Sequence, residues 1–204
     1  MVIINQKKLE ALKKLHSDLR LLRAELRNET KKKWERVLPF DELLFDRWEK
    51  ADFIKAKKGT SVYDNNYIYG KVEIGKNTWI GPYTLLDGSG GKLKIGDFCS
   101  ISSGVQIYTH QTVNWALTGG KAPYEKKGTT VGGFCYLGPY SIVTMGVRIG
   151  KCSVIGGHSL VNSNIPSNSI AFGIPARVVG KISVKDSIVN YHYFDKPSKK
   201  KGRI

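Results

Sequence analysis

His110 is the side chain in this sequence best suited to move a proton. It ends the run Ile107-Tyr108-Thr109-His110, where a long excursion interrupts an otherwise repetitive stretch. Imidazole titrates near neutral pH, so it can accept the proton of a hydroxyl as that oxygen attacks. The competing reading is a surface histidine on a flexible loop. A base works best when a carboxylate or carbonyl on its other ring nitrogen fixes the tautomer. Asp87 and Glu125 are the candidates. Asp87 is open to two further roles, acceptor binding or capping its own turn, because Asp-Gly is common turn chemistry. His16 falls on a basic helix, His158 beside a repeat corner and His192 in the tail, and all three read as solvated. No cluster of His and Cys has metal-ligand spacing, so no metal site is expected.

The element that must position His110 is a solenoid. Aliphatic residues recur every six positions at Val62, Ile68, Ile74, Ile80 and Leu86, then at Ile95, Ile101 and Ile107. They resume at Val131, Leu137, Val143, Ile149, Ile155 and Val161. Gly often follows the aliphatic residue, and a small or branched residue such as Thr78, Cys99, Cys135 or Ser153 sits four places after it. Neither an α-helix nor a simple strand gives a six-residue period. Stacked coils of parallel strands do, each burying its aliphatic side chain against the coil above, with a small residue at the corner. Two places break the count. Three extra residues enter within Asp87-Gly88-Ser89-Gly90-Gly91, and a loop leaves the coils over residues 108–129. Loops that leave a repetitive scaffold tend to carry its function.

Residues 5–36 read as a helix in which Leu12, Leu15, Leu19, Leu22 and Leu26 alternate spacings of three and four. That is the a/d seam of a short coiled coil, or one face lying on a neighbour. Asp41 reads as the N-cap of a second helix reaching about residue 57 and covering the open first coil. The division expected is a helical segment over 1–59, a solenoid over 60–182 and a basic tail over 183–204, weakly ordered from Ile188. The net charge of +16 is concentrated in the first helix and in Lys199, Lys200, Lys201 and Arg203. Solvated lysine explains it, as does weak association with an anionic polymer or membrane surface, and no nucleic-acid motif accompanies it. No apolar run is long enough to span a bilayer and residues 1–10 lack a signal-peptide core. Three cysteines, Cys99, Cys135 and Cys152, without a framework spacing suggest free thiols in a reducing cytoplasm.

Three features together resemble the hexapeptide-repeat acyltransferases: the repeat run, Ile107-Tyr108-Thr109-His110 opening the loop, and Ser169-Ile170-Ala171-Phe172-Gly173-Ile174-Pro175-Ala176-Arg177-Val178-Val179-Gly180 closing the coils. The chain looks most like the O-acetyltransferases of bacterial sugars and surface polysaccharides. The resemblance implies an all-β solenoid, a left-handed parallel β-helix, and a cytoplasmic bacterial enzyme. It implies a homotrimer with active sites between subunits, acetyl-CoA as acyl donor and a carbohydrate acceptor. His110 matches the family's catalytic base. Tyr136 stands where many members carry a Trp lining the site, and Gln111 and Thr112 replace a second His found in many relatives.

Within that frame, Arg177 aligns with a position contacting the nucleotide end of the coenzyme, and Lys181 is near enough to assist. Gly156 and Gly157 would let the pantetheine arm approach the backbone, or simply form tight corners. Gly138 and Gly156 are possible sources of a backbone N–H for the oxyanion. Trp115 could stack on a sugar face or anchor the loop on a neighbouring subunit, and Tyr108, Gln111 and Asn114 suit a saccharide. An N-acetyltransferase of an amino sugar, a drug acetyltransferase and a non-catalytic scaffold are the alternatives.

Overall fold

The computed structural model describes residues 5–194. The basic residues Lys199 to Arg203 of the expected tail lie outside them. The chain divides into two units at Asp46/Arg47. The first holds a long helix, α1 (Gln6–Trp34), and a short one, α2 (Phe40–Leu44). Asn5 caps α1 by accepting the Lys8 N–H at 2.9 Å, and Lys31, Lys32 and Lys33 lie in its last turn beside the negative end of the dipole. The chain leaves the helix at Glu35, whose φ of 53° is left-handed, ahead of Pro39.

The expected second helix is two. Phe45 takes an extended conformation between α2 and α3 (Arg47–Phe53), and Asp41 sits inside the first turn of α2, while Pro39 occupies the N-cap. Only α3 belongs to the second unit, and there it covers the first coil. Ala51 is buried in the core, Ile54 and Ala56 pack against it, and the Lys57 N–H donates to the Ile74 carbonyl at 3.1 Å. Lys50 pairs with Asp64 at 3.4 Å from the other side of the turn.

The rest of the second unit is a parallel solenoid of about six turns. Each coil has three faces, and the aliphatic residues stack in register up each. Val62, Ile80, Ile101, Leu137, Ile155 and Ala171 form one stack. Ile68, Leu86, Ile107, Val143 and Val161 form the second. Ile74, Ile95, Val131, Ile149 and Ile165 form the third. All but Ile68 are buried, which accounts for the six-residue period. At one corner the small residues also act as donors. Thr60 Oγ1 donates to the Gly75 carbonyl at 2.6 Å, Thr78 Oγ1 to Gly96 at 2.9 Å and Cys99 Sγ to Gly132 at 3.1 Å. Cys135 Sγ donates to Gly150 at 3.2 Å and Ser153 Oγ to Pro166 at 3.0 Å. A carbonyl turned into a tight corner thus keeps a partner.

The last coil is closed by antiparallel pairing. After Ser169–Gly173 the chain reverses, Ala176–Lys185 runs back beside it, and Ile188–Tyr193 adds a further antiparallel strand. The weakly ordered tail expected from Ile188 is therefore a strand, because the paired edge of the final coil offers it backbone partners. These strands overhang the first face and shape an apolar groove lined by Phe98, Phe134, Tyr136, Val154, Ile182 and Tyr191. Among the described residues no helix is long and apolar enough to cross a membrane.

Ile101 is fully buried between Ile80 and Leu137. Ile101→Ala is expected to lower the unfolding free energy by ~2–5 kcal/mol, read as a shift in the urea midpoint. A shift under about 1 kcal/mol would mean that neighbouring coils collapse onto the gap.

Candidate active site

The first break in the six-residue count builds half of the site. Leu85–Ile95 runs unbroken through the corner between the second and third faces, with Tyr67–Ile74 alongside it. The three extra residues widen this corner and turn Asp87 inward, where it is 2% exposed. Its Oδ1 accepts both the N–H and the hydroxyl of Ser89, at 2.9 and 2.5 Å. Its Oδ2 lies 2.6 Å from Nδ1 of His110. Capping its own turn and orienting the histidine are thus compatible, since each uses a different oxygen. Burial acts to raise the Asp87 pKa. The two Ser89 hydrogen bonds, with the charge and contact of His110, outweigh it, so the carboxyl titrates below its ordinary value.

The second break supplies the histidine. The Thr109 hydroxyl donates to the Asp87 carbonyl at 2.8 Å and accepts from the Gly90 N–H at 3.0 Å, tying the two breaks together. Gly90 has no room for a side chain: a Cβ there would come within 2.4 Å of both the His110 Cβ and the Thr109 carbonyl oxygen. Beyond His110 the excursion folds on itself. His110–Gln111 pairs antiparallel with Glu125–Lys126, and α4 (Val113–Leu117) lies between them. Glu125 accepts from Gln111 Nε2 at 2.8 Å and from Asn114 Nδ2. It clamps the loop, leaving Asp87 as the group that meets His110. Trp115 meets the Tyr124 ring edge-on at 5.6 Å, so within one chain it anchors its own loop while staying partly exposed. Burial, and then the Asp87 charge, raise the pKa of Tyr108, whose hydroxyl donates to Gln106 Oε1 at 2.8 Å.

The other sequence candidates lie elsewhere. Tyr136 stands on the first face, in the apolar groove, and one chain does not bring it to His110 at the opposite corner. The N–H groups of Gly138 and Gly156 are already given to Ile155 and Ala171 of the next coil, at 2.8 and 2.9 Å, so neither is available to an oxyanion. Both glycines are needed for stacking. A Cβ on Gly138 would lie 2.4 Å from the Gly157 nitrogen, and one on Gly156 would lie 2.6 Å from Phe172. Gly157 is exposed at its corner, 3.2 Å from the Pro139 carbonyl by the same construction. Arg177 and Lys181 are exposed four residues apart on Ala176–Lys185, and Arg177 bonds its own strand at the Ala176 carbonyl, 3.0 Å away. His158 stacks on Tyr140 at 5.3 Å, and His16 and His192 are exposed.

No protein-family model matches the chain. Over 151 residues, 64% of its length, it is 28% identical to galactoside O-acetyltransferase of Escherichia coli strain K12, covering 72% of that protein. The chain resembles the hexapeptide-repeat acyltransferases. The chain superposes on a galactoside acetyltransferase solved with coenzyme A at a TM-score of 0.59, with 23% identity over 81% of each chain. It superposes on AntD, an N-acyltransferase of Bacillus cereus solved with dTDP and 3-hydroxybutyryl-CoA, at 0.54, with 23% identity over 66% of this chain and 87% of that one. These likenesses concern the fold, and the solenoid is a left-handed parallel β-helix.

Sequence reasoning singled out Asp87 and His110, which the fold brings together, but missed what holds them, Ser89, Gly90 and Thr109. A Ser two places after an Asp is a legible turn signal. Thr109 gives none, because its two partners come from the preceding coil. The depressed Asp87 carboxyl sets a stability test. Its contribution is fully present above the unfolded value near 3.9 and is lost as the pH falls through the lower folded value. Below about pH 4 the wild-type melting temperature should therefore fall relative to that of Asp87→Asn. A difference between the two proteins that does not change with pH would reject the depressed carboxyl.

Proposed function

We propose that the enzyme transfers an acetyl group from acetyl-CoA to a hydroxyl of a saccharide, a cell-surface polysaccharide unit or its precursor, with His110 as general base. The observation that carries the reading is the 2.6 Å contact between Asp87 Oδ2 and His110 Nδ1. It leaves Nε2 as the nitrogen for the acceptor. Nε2 takes the hydroxyl proton as the oxygen bonds to the thioester carbonyl carbon. The carbon–sulfur bond then breaks, and the proton passes to the departing coenzyme thiolate. Asp87 stabilises the imidazolium between these steps, its negative charge secured by Ser89.

Arg177 and Lys181 present cations on one exposed strand for the coenzyme's phosphates. Gly157 offers a corner without side-chain bulk for the pantetheine arm. In a homotrimer, the apolar first face of one subunit would bring Tyr136 to the loop of the next, supplying the aromatic wall that one chain lacks. Trp115, Gln111 and Asn114, ordered by Glu125, would offer a ring and amides to the sugar.

The test is transfer from acetyl-CoA to a panel of saccharides, read as free-thiol release, with the product examined by mass spectrometry and NMR. An alkali-labile ester on a sugar hydroxyl is expected. An alkali-stable amide would make the enzyme an N-acetyltransferase of an amino sugar, and no transfer to any saccharide would remove the carbohydrate reading. Two variants divide the site. His110→Ala should cost ~10²–10⁴-fold in turnover with the coenzyme dissociation constant unchanged. Arg177→Ala should weaken coenzyme binding in calorimetry and leave the KM for sugar unaltered. Turnover of His110→Ala within a few-fold of wild type would move the base elsewhere.

A further inference from the structure

We infer that α1 is one strand of a parallel, in-register coiled coil made with α1 of other copies of this chain. The inference rests on the homotrimer proposed above for its strand number, and on the helix itself for everything else. The helix is 29 residues long and has no buried residue. Most helical stability in proteins comes from packing an apolar face, and this helix buries no side chain within its own chain. Leu12, Leu15, Leu19 and Leu22 are 43, 53, 41 and 43% exposed, and Leu26 is half-buried. Their alternating spacing puts Leu12, Leu19 and Leu26 at heptad position a and Leu15 and Leu22 at d.

The flanking charges choose the partner and the direction. Asp18 falls at g and Arg23 at the e position of the next heptad, the pair that meets across a parallel interface with opposite signs. In-register parallel packing also matches all five leucines with themselves. An antiparallel arrangement that pairs a with d sets either Leu26 against Lys8 or Leu12 against Glu29. The helix carries ten basic and four acidic side chains. Most of the basic ones, including Lys13, Lys14, Arg20, Arg27 and Lys31, fall at b, c and f and point away from the seam. A lipid surface fits less well. The leucine seam is narrow, and Asp18 and Glu25 border it where anionic headgroups would lie.

Cysteine cross-linking in the full chain tests this. Leu19→Cys at the seam should give a disulfide-linked pair on mild oxidation, many-fold above both wild type and Ala24→Cys on the outer face. The double variant Leu15→Glu/Leu22→Glu should lose most of the α1 signal at 222 nm in circular dichroism while the assembly keeps its mass in sedimentation. Equal cross-linking at Leu19→Cys and Ala24→Cys, or none, overturns the coiled coil. So does sedimentation of wild type with phosphatidylglycerol vesicles that the double variant abolishes, without a seam cross-link. A trimeric mass without the cross-link removes the coiled coil alone. A dimeric mass with it removes the trimer alone, and a monomeric mass removes both.

Discussion

Register between coils is the constraint on which everything else in the second unit depends. A two-residue strand buries one aliphatic side chain and cannot form a core alone. Val62 is shielded by Ile80, Ile80 by Ile101, and so on up the face, each burial contributing about 1.5–3 kcal/mol. A large residue at a corner would push two coils apart, and an unpartnered carbonyl there would lose a hydrogen bond. The Thr, Cys and Ser donors along one corner meet both demands at once. The interaction with Cys99, and then burial, push the Cys135 thiol upward, in keeping with its place as a buried corner donor to Gly150.

The candidate site uses two places where extra residues relax the six-residue count. Extra residues at Asp87–Gly91 and after Ile107 lie on successive coils at one corner, so one break faces the other. A buried carboxylate is costly unless it is bonded, and Asp87 meets that cost with two bonds from Ser89 and the contact with His110. The same contacts hold the imidazole in place before any acceptor arrives. In the proposed reaction, preorganisation of this kind would let the base act without reorienting as the acceptor attacks. The rigidity comes from the solenoid, while the loop beyond His110 adds polar and aromatic groups held together by Glu125 and Tyr124.

The repeat, its two breaks and the place of His110 at the second of them can all be read from the sequence alone. A period of six is visible in one dimension because each coil repeats the same physical problem. The long helix was legible for a similar reason, its leucine seam and cap being local. Single residues with two possible partners were not. Asp87 against Glu125 as the partner of His110 turned on which oxygen reached Nδ1, a distance between separate coils. The N–H groups of Gly138 and Gly156 looked available until the ladder to the next coil was in place. The strand at Ile188–Tyr193 and the break between α2 and α3 were likewise decided by tertiary structure. The first depends on a paired edge far back in sequence and the second on how Ala51 and Ile54 meet the first coil, and neither leaves a period to read.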